Sequence, residues 1–193
     1  MRMFSLRQTA KLSVAILSST CIASFAGDVS SNTVEMVRNV AVVVANSAAE
    51  TGALRDMAVI AVRNAIAAKS DADESFLAAV KSGDKPKQMV AMKKRNAVSE
   101  STEESMNMLT KIADYTGEVA EAAGQAKQYE KEVSTATTER DAASKLKQIQ
   151  KLSISVLKTV KKVQALAEIL KKQWLIPLAP QPTTPVSPVT ESK

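Results

Sequence analysis

From Met108 onward, apolar residues recur at alternating spacings of four and three. Met108, Ile112, Tyr115, Val119, Ala122, Ala126, Tyr129 and Val133 form one such seam. Leu146, Ile149, Val156, Val160, Val163, Ala167, Leu170 and Trp174 form a second, interrupted only by Ser153. This is the spacing at which one side of an α-helix is buried against another helix. Leu152, Leu157 and Leu166 widen the second stripe beyond two positions per heptad, which suits a bundle core better than a two-stranded coil. Upstream of Met108 the first seam turns polar, because Ser101 and Ser105 fall on it.

The stretch Val34 to Ala68 is apolar on a broad face (Val37, Val40, Val44, Leu54, Val59, Val62, Ile66) and rich in alanines that let neighbouring helices approach. Asn32, with Glu35 three residues on, is read as its N-cap. Gly52 is a point where this helix is expected to kink. A separate short helix is predicted from Asp71, with Phe76, Leu77 and Val80 as its apolar face. Ser82-Gly83-Asp84-Lys85-Pro86 is a clear break, since Gly suits the position just past a helix end and Pro the first turn of the next helix. The second long helix is read from about Pro86 to Val133. Gly117 and Gly124 each weaken it or mark a close helix–helix contact. Ser134 to Thr138 form the next turn. Thr138 is the expected cap, with Asp141 three residues later, of a third long helix reaching about Leu175.

The predicted fold class is therefore all-α: an elongated antiparallel bundle or coiled coil of about three long helices plus one short one. Charge supports the topology. Residues 100–139 carry nine acidic and three basic side chains, while residues 140–172 carry nine basic and two acidic. Folding consecutive segments back on each other sets the acidic arm beside the basic arm. Pairing the same arms between chains, in a homo-oligomer, fits the pattern equally.

Two terminal segments stand apart. Residues 1–26 begin with Arg2, Arg7 and Lys11, continue through the mostly apolar run Leu12 to Phe25, and end on Ser24-Phe25-Ala26. This is the layout of an export signal cleaved after Ala26. The expected helical domain is then residues 27–176, in a periplasmic or secreted protein. The sole cysteine, Cys21, lies within the signal. A second reading makes it a lipidation site and the protein lipid-anchored, although Leu17-Ser18-Ser19-Thr20-Cys21 spaces the apolar residue one position too far back. Residues 177–193 hold five prolines among threonines and serines, and read as an extended, disordered tail. The tail serves as a spacer, as a ligand for a polyproline-binding partner, or simply as a terminus.

Composition narrows the chemistry. The chain's net charge is +6, but three of its basic residues belong to the presumed signal, leaving about +3 in the remainder. That balance, with few aromatics, gives no expectation of nucleic-acid binding. Histidine is absent, which removes the commonest general base and the commonest metal ligand. Neither a cofactor nor a metal is expected. Glu100, Glu103 and Glu104 cluster without the split environments that catalytic carboxylates need. Ser99, Ser101, Thr102 and Ser105 have no base to activate them. No enzyme is predicted.

Lys85, Lys87, Lys93, Lys94 and Arg95, with no acid among residues 85–95, are the candidate contact for an anionic surface such as phospholipid or an acidic polymer. The alternative is a solvated helix end. Met89, Met92, Met106 and Met108 are assigned to core packing in preference to an adaptable binding face or a Cu(I) site. Trp174 is expected to cap the end of the core, with an interfacial anchor as the alternative. The sequence thus predicts an exported, non-enzymatic helical protein with a structural or protein-interaction role. A holdase-type periplasmic chaperone is the first alternative and a membrane-surface-binding protein the second. The expected partner is a protein, another copy of the chain, or an envelope polymer or lipid surface.

Overall fold

A computed structural model describes residues 29–175. The predicted signal (1–26), Cys21 and the predicted Pro-rich tail (177–193) lie outside the described residues. Three α-helices follow one another: α1, Ser31–Ser82; α2, Lys85–Ser134; and α3, Glu139–Trp174. Each packs on the other two, and no strand occurs among the described residues.

Each helix starts on a side-chain cap that satisfies otherwise free backbone N–H groups. Ser30 Oγ accepts from Asn32 N at 3.2 Å, Asp84 Oδ1 from Lys87 N at 3.1 Å, and Thr138 Oγ1 from Asp141 N at 3.2 Å. The expected cap at Thr138 and the expected helix start at about Pro86 agree with this. The cap of α1 falls on Ser30, not Asn32. Ser30 is held there because its N–H donates to Glu139 Oε2 at 2.6 Å, while Thr33 Oγ1 donates to Glu139 Oε1 at 2.6 Å. One carboxylate at the start of α3 thereby pins the start of α1. α1 ends at Gly83, whose φ of 73° is the left-handed conformation that glycine adopts without a Cβ penalty.

The predicted short helix does not exist as a separate element. α1 runs without interruption through Gly52 and through Asp71 to Ser82. Residues 69–73 contain neither Gly nor Pro to stop it, and Lys69 and Asp73 pair one turn apart at 3.2 Å. Gly117 and Gly124 are not close-approach points either, since a Cβ at Gly52, Gly117 or Gly124 would meet nothing within 4 Å.

The core has two apolar clusters. One joins Val37, Val40 and Val44 to Val119, Ala126 and Val133 and to Ile149, Val156 and Val160. The other joins Ala58 and Ala61 to Ile112 and to Val163, Ala167 and Leu170. Between them lie buried Thr51 on α1 and Thr116 on α2, while Thr159 of α3 is buried within the first, between Val156 and Val160. Thr51 Oγ1 donates to Ser47 O at 3.1 Å and Thr116 Oγ1 to Ile112 O at 2.7 Å, so these hydroxyls enter the core with acceptors from their own helices. Both predicted heptad seams bury as read, and Leu152, Leu157 and Leu166 are half-buried at the edges of the α3 stripe.

The acidic and basic arms are α2 and α3, paired within one chain. Direct contact between the opposite charges of these two helices is limited to the bridge from Lys145 Nζ to Glu132 Oε2 among the described residues. Lys145 also lies over the Tyr129 ring at 5.3 Å, and one more α3 lysine, Lys162, lies over Tyr115 at 5.0 Å. Charge complementarity therefore acts mainly as a field that selects register, with few individual bridges.

Candidate functional site: the overhanging hairpin

The helices differ in length: 52, 50 and 36 residues. At 1.5 Å per residue that is about 78, 75 and 54 Å. All three start or end together at the Glu139 clasp, so α3 stops short of the far end. Its last residue, Trp174, marks the place. The indole Nε1–H donates to Ser105 Oγ of α2 at 2.8 Å, and Trp174 O accepts from Asn64 Nδ2 of α1 at 3.1 Å. Trp174 is half-buried against the second core cluster, as a cap on the end of the core.

Beyond that point α1 and α2 continue as a two-helix hairpin about 27 Å long. Its packing is sparse. From Ile66 to Ser101, Ala72 is the only buried residue. Two helices alone cover one stripe on each partner and leave the rest in water. Ile66, read as part of the core face, is 50% exposed for this reason. Leu77, Val80, Met89, Val90 and Met92 are likewise exposed, at 44–71%. The assignment of the methionines to the core fails at three of four positions. Met89, Met92 and Met106 are exposed, and only Met108 is half-buried against the second cluster.

The hairpin is held across its middle by Arg95. Its Nε donates to Asp73 Oδ1 at 2.6 Å and its guanidinium lies 5.3 Å from the Phe76 ring centre. The Arg95 hydrogen bond, then that of Lys69, holds the Asp73 carboxyl below its ordinary range. Arg95 is thus a strap between α1 and α2, unlike the rest of the predicted basic cluster. Lys85, Lys87, Lys93 and Lys94 are all exposed. Lys87 Nζ reaches Asp84 at 3.1 Å. Lys85, Lys93, Lys94 and the neighbouring Lys81 have no carboxylate within bridging distance among the described residues.

Other candidate chemistry is engaged elsewhere. Glu100, Glu103 and Glu104 are exposed on the α2 surface. Thr102 Oγ1 donates to Val98 O and Ala65 O, Ser105 Oγ donates to Ser101 O, and Ser101 Oγ accepts from Gln173 Nε2. An open groove between α2 and α3, lined by Glu118, Gln125, Leu152, Ser155 and Thr159 among others, offers no activated nucleophile. No three metal-ligating side chains converge among the described residues.

Comparison with known proteins returns no match: no family model, no curated protein and no solved structure is significantly similar to this chain.

Reading the sequence for faces alone missed the exposed apolar residues of the hairpin. The signal was present in the lengths of the elements. A third helix of 36 residues cannot cover two helices of 52 and 50.

Proposed function

We propose that this is an exported, non-enzymatic helical protein that acts by contact, with the three-helix part as a stiff shaft and the α1–α2 hairpin end as the contact surface. The overhang carries this reading. A pair of helices prolonged about 27 Å past the third, nearly without a core of its own, keeps apolar side chains in water where folding alone would favour burying them. Five of the exposed large apolar residues fall between Leu77 and Met92. The absence of histidine throughout the chain and the engaged hydroxyls near Ser101 support a role without catalysis.

A photoreactive side chain at Val90, on the hairpin, and another at Ile154, exposed on α3, test this in the expressing cell. Cross-linking at position 90 well above position 154 is expected. Equal yields at the two sites contradict the reading. Export is checked by sequencing the processed N-terminus, expected to begin at Gly27. A lipid-modified Cys21 would instead establish the anchored form.

A holdase role is favoured by one specific observation, the exposure of the flexible side chains Met89, Met92 and Met106. It requires that the protein suppress aggregation of an unrelated denatured protein at near-stoichiometric ratio, measured by light scattering.

A further inference from the structure

On the reading that the hairpin end is the contact surface, we propose that one side of it docks on an anionic lipid surface. Two observations meet there. The Arg95–Asp73 bridge fixes which sides of the helices lie together. On α1, Leu77 and Val80 follow Asp73 by four and seven residues and so share its side; on α2, Met92 precedes Arg95 by three and Met89 precedes Met92 by three. The bridge therefore runs between a Leu77/Val80 ridge and a Met89/Met92 ridge. Met92 lies nine residues, about two and a half turns, from Ser101, which accepts from Gln173 of α3. The methionine ridge thus looks away from the α3 side of the hairpin.

The same side carries cations with no carboxylate in bridging distance among the described residues. Lys81 is one turn after Leu77, Lys85 one turn before Met89 and Lys93 one turn after it. Two of the facing carboxylates are neutralised, Asp73 by Arg95 and Lys69 and Asp84 by Lys87. Glu74, three residues before Leu77, and Glu100, seven residues after Lys93 and nearer the α3 end, are the remaining acids along these sides. From Lys81 to Arg95 the chain holds six basic residues and one acidic.

Charge and side-chain type select the occupant. A second copy laid face to face would set this lysine-rich side against the same lysine-rich side. A specific protein partner is usually gripped by Trp, Tyr or Arg anchors; this side has no Trp or Tyr, and Arg95 is already bound. Flexible aliphatic and thioether side chains ringed by lysines suit the headgroup boundary of a bilayer, where apolar groups enter and ammonium groups meet phosphates. No described helix is long and apolar enough to cross a membrane, so the contact is superficial.

The test is co-sedimentation of the full chain with vesicles of phosphatidylcholine and phosphatidylglycerol in equal parts, and with phosphatidylcholine alone. Three proteins are compared: the unaltered chain, K85Q/K93Q and L77S/M92S. Segments outside the hairpin then contribute equally to every sample. The unaltered chain is expected to prefer the anionic vesicles and to be released by salt. K85Q/K93Q should bind them about thirtyfold more weakly, at roughly fivefold per lysine, and L77S/M92S should also bind more weakly. All four positions are exposed, and unchanged circular dichroism and thermal unfolding confirm folding. Should a variant unfold, single substitutions at the same positions replace it. Equal anionic-vesicle binding by all three proteins overturns the proposal, as does no binding. Capture of polyglutamate but not vesicles overturns it in favour of an acidic polypeptide. In either case the Val90 cross-linking result still stands or falls on its own.

Discussion

Trp174 and Ser105, 69 residues apart in sequence, are joined by an indole N–H to hydroxyl hydrogen bond of 2.8 Å that closes the end of the three-helix core. Ser105 is fully buried and also donates to Ser101 O at 2.7 Å, so its hydroxyl is satisfied on both sides. Trp174→Phe keeps most of the apolar contact and removes the donor. It should lower stability by about 1 kcal/mol, the usual net worth of one hydrogen bond. Trp174→Ala should lower it by about 2–3 kcal/mol, somewhat less than a fully buried tryptophan. Urea unfolding of both variants checks the order and size.

The glycines should respond with opposite signs. Gly83 has φ 73°, where a Cβ is strained, so Gly83→Ala is expected to destabilise by about 1 kcal/mol. Gly117 and Gly124 lie mid-helix with open space where a Cβ would stand. Alanine at either should stabilise by about 0.5–1 kcal/mol. Thermal unfolding midpoints moving the same way at all three sites would contradict this.

The ion pairs give stability a pH dependence of known direction. Asp73 and Glu132 have carboxyls held below the ordinary range, by Arg95 and by Lys145 respectively, with smaller help from Lys69 and Gln128. A lowered folded-state value means the contribution is present above the unfolded carboxylate range and is lost as pH falls through the folded value. Lys145 is shifted the other way: its hydrogen bond to Glu132 raises it. Its contribution is complete below the unfolded lysine value and disappears as pH rises through the folded one. The Glu132–Lys145 bridge should therefore support the fold from mildly acidic to mildly alkaline pH. Glu132→Gln should flatten the acid-side fall seen in urea midpoints measured from pH 7 downward.

Local stability should change abruptly at Trp174. Between Ile66 and Ser101 one residue is buried, whereas α1 between Thr33 and Ala65 carries eleven. Native-state amide exchange should be fast in the hairpin and slow in the Val37–Val44 and Val156–Val163 segments, because protection follows the buried apolar contacts of a segment. Uniform protection along α1 would show the hairpin to be more tightly integrated than its packing implies.

Much of this architecture was legible in the chain. The seam from Leu146 to Trp174, the Thr138 cap and the Gly83–Pro86 break all appear in the structure, because each depends on residues within a few turns. Leu77, Val80, Met89 and Met92 were misread for the opposite reason. Their spacing shows that they share faces, but whether a face is covered depends on a helix distant in sequence. Asp71 was misread as a cap because a helix that neither Gly nor Pro interrupts absorbs one residue of low helix propensity at a cost of only about 0.5 kcal/mol. Of the basic cluster, four lysines were found as exposed cations. The role of Arg95 as a strap needed Asp73 and Phe76 to be placed across from it.

The Glu139 clasp gives the rod a direction. By tying Ser30 and Thr33 to the α2–α3 turn, it sets the beginning of α1 at the end remote from Gly83, about 78 Å away along the helix axis. Val29 and the start of α1 consequently lie at the opposite pole from the lysine-rich tip. The chain is built as a ruler, and lengthening or shortening it by whole heptads in α1, α2 and α3 together would move the two poles apart or closer without altering either.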